Sequence, residues 1–306
     1  MKGEPARNVI PPVGVFFIIL MTVALVPAFV GAADDFPLRR KYPALEPIAT
    51  NEFAALLTTG EAIAVDVRTE AEFDVIHVKG AVRIPHMLND ESFETLKAAA
   101  AKPHEYLVFY CNGVLCTKSY KAAEIAVLRG FKGVRVYDAG IFEWAEAFPA
   151  ETVFFGEPMS AADAKEKLIP RQEFEKALVD TNTFITMARS GKYEIYDIRD
   201  PRERVEYSID LPNKKEATLD QFRQLLDAGK FPKSDVLLLD NVGKQVVWAQ
   251  YYLKRFGVTN YFFLKGGVAQ WRADGKNSQG EELGKVWGRS REKLIQELRD
   301  RAGSAK

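Results

Sequence analysis

Four apolar residues in a row, Leu107, Val108, Phe109 and Tyr110, are followed at once by Cys111 and then by a loop that ends near Ser119. A short unbroken apolar run bounded by loop residues reads as a strand buried on both faces. Helix-forming residues then continue to Gly130, which closes that helix. The same alternation recurs along the chain. Thr50 is placed to cap a short helix with Phe53, Leu56 and Leu57 at helical spacing. Residues 62–67 read as a buried strand ending in Asp66-Val67-Arg68, and short helices are predicted around 70–73 and 92–101. A further strand at 133–137 leads into the segment DAGIFEWAEA at 138–147. Strands alternating with helices predict an α/β fold whose mainly parallel sheet is flanked by helices. In such sheets ligands gather at the carboxyl ends of the strands.

The pattern occurs twice. Asp66-Val67-Arg68 returns as Asp197-Ile198-Arg199, and the stretch from Gly140 to Trp144 returns from Gly267 to Trp271. Residues 48–53 find an echo at 169–174. These repeats divide the chain into a first domain at 45–150, a linker at 151–168 with a short charged helix at 161–167, a second domain at 169–274 and a helical tail at 275–306. Register aligns the two loops: 33 positions separate Cys111 from Trp144, and 31 separate Asp240 from Trp271. The first loop, CNGVLCTKS, is two residues longer than the second, DNVGKQV, which accounts for the difference. Asp240 is therefore expected where Cys111 stands in the first copy, and the second copy, with no cysteine, has no thiolate chemistry.

Composition narrows the class of function. The chain has 42 basic and 42 acidic residues, a balance that gives no reason to expect nucleic acid as a partner. Two cysteines in 306 residues are too few for a disulfide scaffold, and both lie in one loop. At the N-terminus Lys2 and Arg7 precede a charge-free run over 13–33, with the small residues Gly31 and Ala32 at its end. This is the pattern of a secretory signal peptide over 1–33. An apolar run of this length can also remain as an anchor. The expected location is periplasmic or secreted, with membrane attachment, facing outside, only if the segment is uncleaved.

Cys111 is the candidate nucleophile. A cysteine at the end of a strand, before a loop that feeds a helix, meets converging amide groups and the positive end of that helix, both of which favour a thiolate. The loop residues Asn112, Gly113, Val114, Leu115, Cys116, Thr117 and Lys118 are the candidate substrate-binding set, with Lys118 adding a cation. Asp66 and Arg68 lie at the end of a strand, facing the expected pocket. Glu72 is expected to pair with a base. His77, His86 and His104 form no cluster at ligand spacing with the cysteines, so neither a metal nor another cofactor is expected.

These motifs resemble the rhodanese family, and the whole chain resembles a tandem rhodanese-like sulfurtransferase. Residues 73–81, FDVIHVKGA, are similar to the family's first signature, in which an aromatic residue and three variable positions precede His-hydrophobic-Pro-Gly-Ala. Lys79 stands where that proline would be. Residues 134–144 are similar to the second signature, with Ala139 for a glycine and Ile141 for an aromatic residue. The likeness covers about 45–147 and again 169–273. Its second half is degenerate, with Tyr207-Ser208-Ile209-Asp210 near the histidine motif's place.

The resemblance implies a Cys111 thiolate that takes the outer sulfur from a small sulfur-containing anion such as thiosulfate. The resulting persulfide would pass its sulfur to a thiol or cyanide. It implies that Asp66 and Arg68 support the site by tying the loop and sheet together, and it implies a structural rather than a basic role for His77. The family's loop commonly places an arginine after four residues, whereas Lys118 lies seven positions beyond Cys111. Cys116 is expected either to close a disulfide with an exposed Cys111 or to take sulfur from it. The alternatives on the same fold are a non-catalytic binding or sensing module and a phosphatase or reductase. The latter calls for cysteine, five residues and arginine, a spacing that the loop does not have.

Overall fold

A computed structural model describes residues 36–84, 89–230 and 235–282. Its first half runs α1 (Pro37–Lys41), β1 (Glu46–Pro47), α2 (Thr50–Thr59), β2 (Ala62–Asp66), α3 (Glu70–Val75) and β3 (Ile76–Val78). It continues with β4 (Val82–Arg83), α4 (Asp90–Ala100), β5 (Tyr106–Tyr110), α5 (Lys118–Leu128), β6 (Val134–Tyr137) and α6 (Ile141–Ala147). A connecting segment holds β7 (Thr152–Phe154), β8 (Glu157–Pro158), α7 (Ala161–Lys167) and α8 (Arg171–Lys176). The second half runs β9 (Leu178–Val179), α9 (Thr181–Arg189), β10 (Glu194–Asp197), α10 (Pro201–Glu206) and β11 (Lys214–Glu216). It ends with α11 (Leu219–Asp227), β12 (Val236–Leu239), α12 (Gln245–Arg255), β13 (Tyr261–Leu264) and α13 (Gly267–Ala273).

The two halves build the same sheet. Strand order is β1-β6-β5-β2-β4 in the first and β9-β13-β12-β10-β11 in the second, and every pairing within them is parallel. The cysteine strand β5 is central, which explains its unbroken apolar run: Leu107, Val108, Phe109 and Tyr110 are all buried. This topology corrects two readings of the sequence. Since β9 stands where β1 does, Thr181 is the counterpart of Thr50 and the buried Phe184 that of the buried Phe53. The echo at 169–174 falls instead on α8, ahead of the second sheet. Thr50 is also not a cap, because Ala49 holds that position without a side-chain bond. The Thr50 hydroxyl donates to Glu143 instead.

Residues 152–158 are part of a three-stranded sheet. Strand β7 pairs antiparallel with β3, Val153 opposite His77, and then with β8. One apolar core crosses from half to half: Phe142 stacks on Trp248 at 5.0 Å between ring centroids, and Phe155 meets Tyr252 edge-on at 5.5 Å. Polar contacts align the join. The Tyr252 hydroxyl donates to Ala71 O at 2.7 Å, the Ala71 amide donates to Asp220 Oδ1 at 2.7 Å, and Arg223 pairs with Glu70 and Asp74. Among the described residues no helix is long and apolar enough to cross a membrane. The apolar run at 13–33, His86 and most of the charged tail at 279–306 lie outside the described residues.

Candidate active site between the two halves

Cys111 follows β5 directly, and its carbonyl accepts a hydrogen bond from the Ile141 amide at 3.1 Å. This bond ties the loop's first residue to the start of α6. The approach is close because Gly140 lacks a side chain: a Cβ there would meet Gly113 Cα at 2.3 Å, and its φ is +90°. The loop turns where the Cys116 amide donates to Gly113 O at 2.8 Å, and α5 begins at Lys118.

The turn brings Cys116 back onto Cys111, and the two sulfurs form a disulfide across 6.5 Å between Cα atoms. That separation lies within the span that a disulfide bridges. The structure thus closes the first of the two expected fates of Cys116. It departs from the expectation of an exposed thiolate, since Cys111 is 1% exposed and packed in the apolar cluster under the loop. Ser119 Oγ, itself buried, lies 3.5 Å from Cys111 Sγ and can donate to it.

Glu72 anchors the loop from below. It sits in the first turn of α3, where its carboxylate accepts from the Thr69 amide at 3.0 Å while the Thr69 hydroxyl accepts from the Glu72 amide at 3.3 Å. Its other oxygen, Oε1, accepts from Asn112 Nδ2 at 2.7 Å, and Lys118 Nζ lies 3.5 Å from Oε2. Burial raises the Glu72 pKa, but the charges of Lys118 and Arg68 and the bond from Asn112 outweigh it and hold the carboxyl below its usual range. The Lys118 cation is therefore offset by a buried anion rather than left free for a ligand.

Asp66 and Arg68 are fully buried and paired, with Arg68 Nη2 2.5 Å from Asp66 Oδ2. The same guanidinium donates to Ile76 O at 2.6 Å and lies 5.2 Å from the Trp248 ring centroid. The pair thus ties β2 to β3 and to the other half. His77 serves the fold: its Nδ1 lies 2.8 Å from Phe73 O, and its ring stacks on Phe73 at 3.8 Å. Burial, the largest influence, lowers its pKa. His104 bonds locally to Lys102 O.

The second half repeats the architecture with a different group at its centre. Asp240 follows β12 as Cys111 follows β5, and its carbonyl accepts from the Val268 amide at 2.9 Å. The loop wraps its buried carboxylate with the amides of Gly243 at 2.5 Å, Gln245 at 2.6 Å and Val246 at 3.4 Å. Burial raises the Asp240 pKa, and those amides work against the rise. Glu203 receives Asn241 Nδ2 at 2.9 Å, as Glu72 receives Asn112. Asp197–Arg199 repeats Asp66–Arg68 at 2.6 Å.

The two loops face each other across a cleft of 540 Å³. Asn112, Gly113, Val114, Leu115, Cys116, Thr117 and Lys118 all line it, whereas Cys111 lies beneath. Opposite stand Asp200, Glu203, Asp240, Asn241, Lys244 and Gln245; of these the sequence singles out only Asp240, as the counterpart of Cys111 and not as a site residue. Glu72 was not placed in the site either, although a signal existed. Glutamate follows the arginine by four positions in both copies, Arg68 to Glu72 and Arg199 to Glu203.

The model of the rhodanese-like domain family matches the chain twice, over residues 49–147 and 180–274. Comparison with curated proteins gives no match. Among solved structures, the chain is similar to the thiosulfate sulfurtransferase from Pseudomonas aeruginosa at 17% identity and a TM-score of 0.32. That likeness covers 76% of this chain and 45% of the other. It is similar to the As-Sb reductase from Leishmania major at 20% identity and a TM-score of 0.31, over 35% of this chain and 84% of that one. A Bacillus halodurans protein shows 20% identity and a TM-score of 0.33 over 46% and 96%.

Proposed function

The chain belongs to the rhodanese-like domain family, and we propose that it is an exported sulfurtransferase whose nucleophile is Cys111. One observation carries the reading. At the position of Cys111, the second copy of the same loop holds the Asp240 carboxylate with three amide groups. The amides of a loop of this construction act in favour of negative charge at the strand end, against the cost of burial, which for Asp240 is the larger of the two. A thiolate at Cys111, followed by its persulfide anion, is the form of charge that the first copy would hold.

Turnover starts from the reduced loop. The Cys111 thiolate attacks the outer sulfur of an anionic donor such as thiosulfate; the bond between the donor's two sulfurs breaks and sulfite leaves with the electron pair. The product is a Cys111 persulfide, from which a thiol or cyanide removes the outer sulfur and restores the thiolate. Glu72 holds Asn112 and Lys118, and through them the loop, in place. Phosphoryl transfer fits the loop less well. Lys118 is a point charge already paired with Glu72, and it offers no bidentate fork to a phosphate.

With the disulfide reduced, the protein is expected to move sulfur from thiosulfate to cyanide. Cys111→Ser should lower that rate by more than about a thousandfold, as removal of a covalent nucleophile does. Cys116→Ser should leave the transfer to cyanide intact. Undiminished turnover by Cys111→Ser would overturn the proposal.

A further inference from the structure

We infer that the Cys111 persulfide is resolved within the protein: Cys116 displaces its outer sulfur as sulfide, so that the chain also acts as a dithiol-dependent sulfide-releasing enzyme. The inference rests on the sulfur-transfer reading and adds a second outlet to it.

Geometry supplies the first reason. The two sulfurs meet within one loop, with Cα atoms 6.5 Å apart and the loop turned back by the bond from the Cys116 amide to Gly113 O. A nucleophile held at that range attacks as an intramolecular group, at an effective concentration far above that of a free thiol. Placement supplies the second reason. Cys111 is 1% exposed, so an acceptor from solution must reach a sulfur beneath the loop, whereas Cys116 is already beside it.

A simple staple would account for the pairing only if such a loop needed one. The second copy shows that it does not, because its loop closes on the Asp240 carboxylate through hydrogen bonds from its backbone amides, without a cysteine. The first loop is two residues longer than the second, and its extra length carries Cys116 back to Cys111. Both cysteines of the chain are committed to this one contact.

The step balances. The Cys116 thiolate attacks Cys111 Sγ, the bond from Sγ to the outer sulfur breaks, and hydrosulfide leaves with the electron pair. The outer sulfur gains two electrons, and the two cysteine sulfurs, now joined, lose them. A dithiol reductant then attacks Cys116, which lines the cleft, and Cys111 departs as the buried thiolate. Over one cycle, thiosulfate and a dithiol give sulfite, hydrosulfide, a proton and the oxidised dithiol.

The test is a single turnover without an acceptor. The full chain is reduced with dithiothreitol, freed of it by desalting, and mixed with thiosulfate. Sulfide is then measured, together with the intact mass of the protein. The wild-type chain is expected to release about one sulfide per chain and to finish as the Cys111–Cys116 disulfide, since each chain holds one dithiol. Cys116→Ser and Cys116→Ala should each retain one added sulfur on Cys111 and release less than about a tenth of the wild-type sulfide. Three results would overturn the inference. A wild-type chain that keeps a stable persulfide, or one whose sulfur moves to Cys116 without sulfide release, would do so while leaving the sulfurtransferase reading intact. Absence of any added sulfur on Cys111 in both variants would overturn that reading as well.

Discussion

Glu72 gives the sharpest energetic test, because the chain carries its own control. Glu72→Ala removes a 2% exposed carboxylate that accepts two hydrogen bonds, from Asn112 at 2.7 Å and from the Thr69 amide at 3.0 Å. Hydrogen bonds to a charged acceptor are each worth roughly 1.5–3 kcal/mol, and breaking a buried charged pair costs about 3–5 kcal/mol. Lys118 is 27% exposed and can turn to water, which places the expected loss at the low end, about 3 kcal/mol. Glu203 makes the equivalent bonds to Asn241 and the Asp200 amide at 2.9 and 3.1 Å but is only half-buried, so Glu203→Ala should cost about 1 kcal/mol. Both residues close a capping box at the start of a short helix, so that contribution cancels in the comparison. The assay is urea unfolding of the two variants beside the parent, with sulfur transfer to cyanide measured on the same preparations. Glu72→Ala should also lose transfer activity, because Asn112 adjoins Cys111; Glu203→Ala should keep it. Equal costs, or full activity in Glu72→Ala, would refute the claim that Glu72 anchors the loop.

Three further outcomes are expected. Gly140→Ala would drive a Cβ into the main chain of Gly113, at 2.3 Å from its Cα, and should cost more than about 2 kcal/mol along with the transfer activity; Gly130→Ala, at a similar φ of +89° but with nothing within 4 Å, should cost about 1 kcal/mol and keep activity. Stability measured by urea unfolding against pH should show two opposite slopes. The lowered pKa of Glu72 contributes stability that is present above its ordinary value of 4.5 and lost as pH falls through the folded value, and Glu72→Gln should remove that acid loss. The raised pKa of Asp240 acts the other way: the unfolded chain ionises first, so stability falls as pH rises from 3.8 through the folded value, and Asp240→Asn should flatten that fall. Asp240→Ala should leave the rate of sulfur transfer within a few fold of the parent, because the carboxylate bonds its own loop; a hundredfold loss by a folded variant would show otherwise.

Much of this arrangement could be read from residues whose spacing the fold cannot easily change. The distances from Cys111 to Trp144 and from Asp240 to Trp271 align the two loops, and both centres do follow a central strand and accept from the first turn of the helix after the neighbouring strand, α6 or α13. The charged helix expected at 161–167 is α7. Local pattern failed where tertiary contacts decide. The likeness of 169–174 to 48–53 is one of helix-start chemistry, which α8 shares with α2 without sharing its place in a sheet. Strand β7 forms because β3 offers an edge, and three residues with no period of their own do not announce it. The burial of Cys111 was hidden for the same reason: it depends on how the loop folds back, which is set by Gly113, Cys116 and a glutamate 39 positions upstream.

The most direct test of the account asks where the sulfur lands. Reduced wild-type, Cys111→Ser and Cys116→Ser chains are treated with a sulfane-sulfur donor, alkylated, digested and mapped by tandem mass spectrometry. The added sulfur is expected on Cys111 in Cys116→Ser and nowhere in Cys111→Ser. Added sulfur on Cys116 in Cys111→Ser, or an unmodified Cys111 in Cys116→Ser, would contradict it.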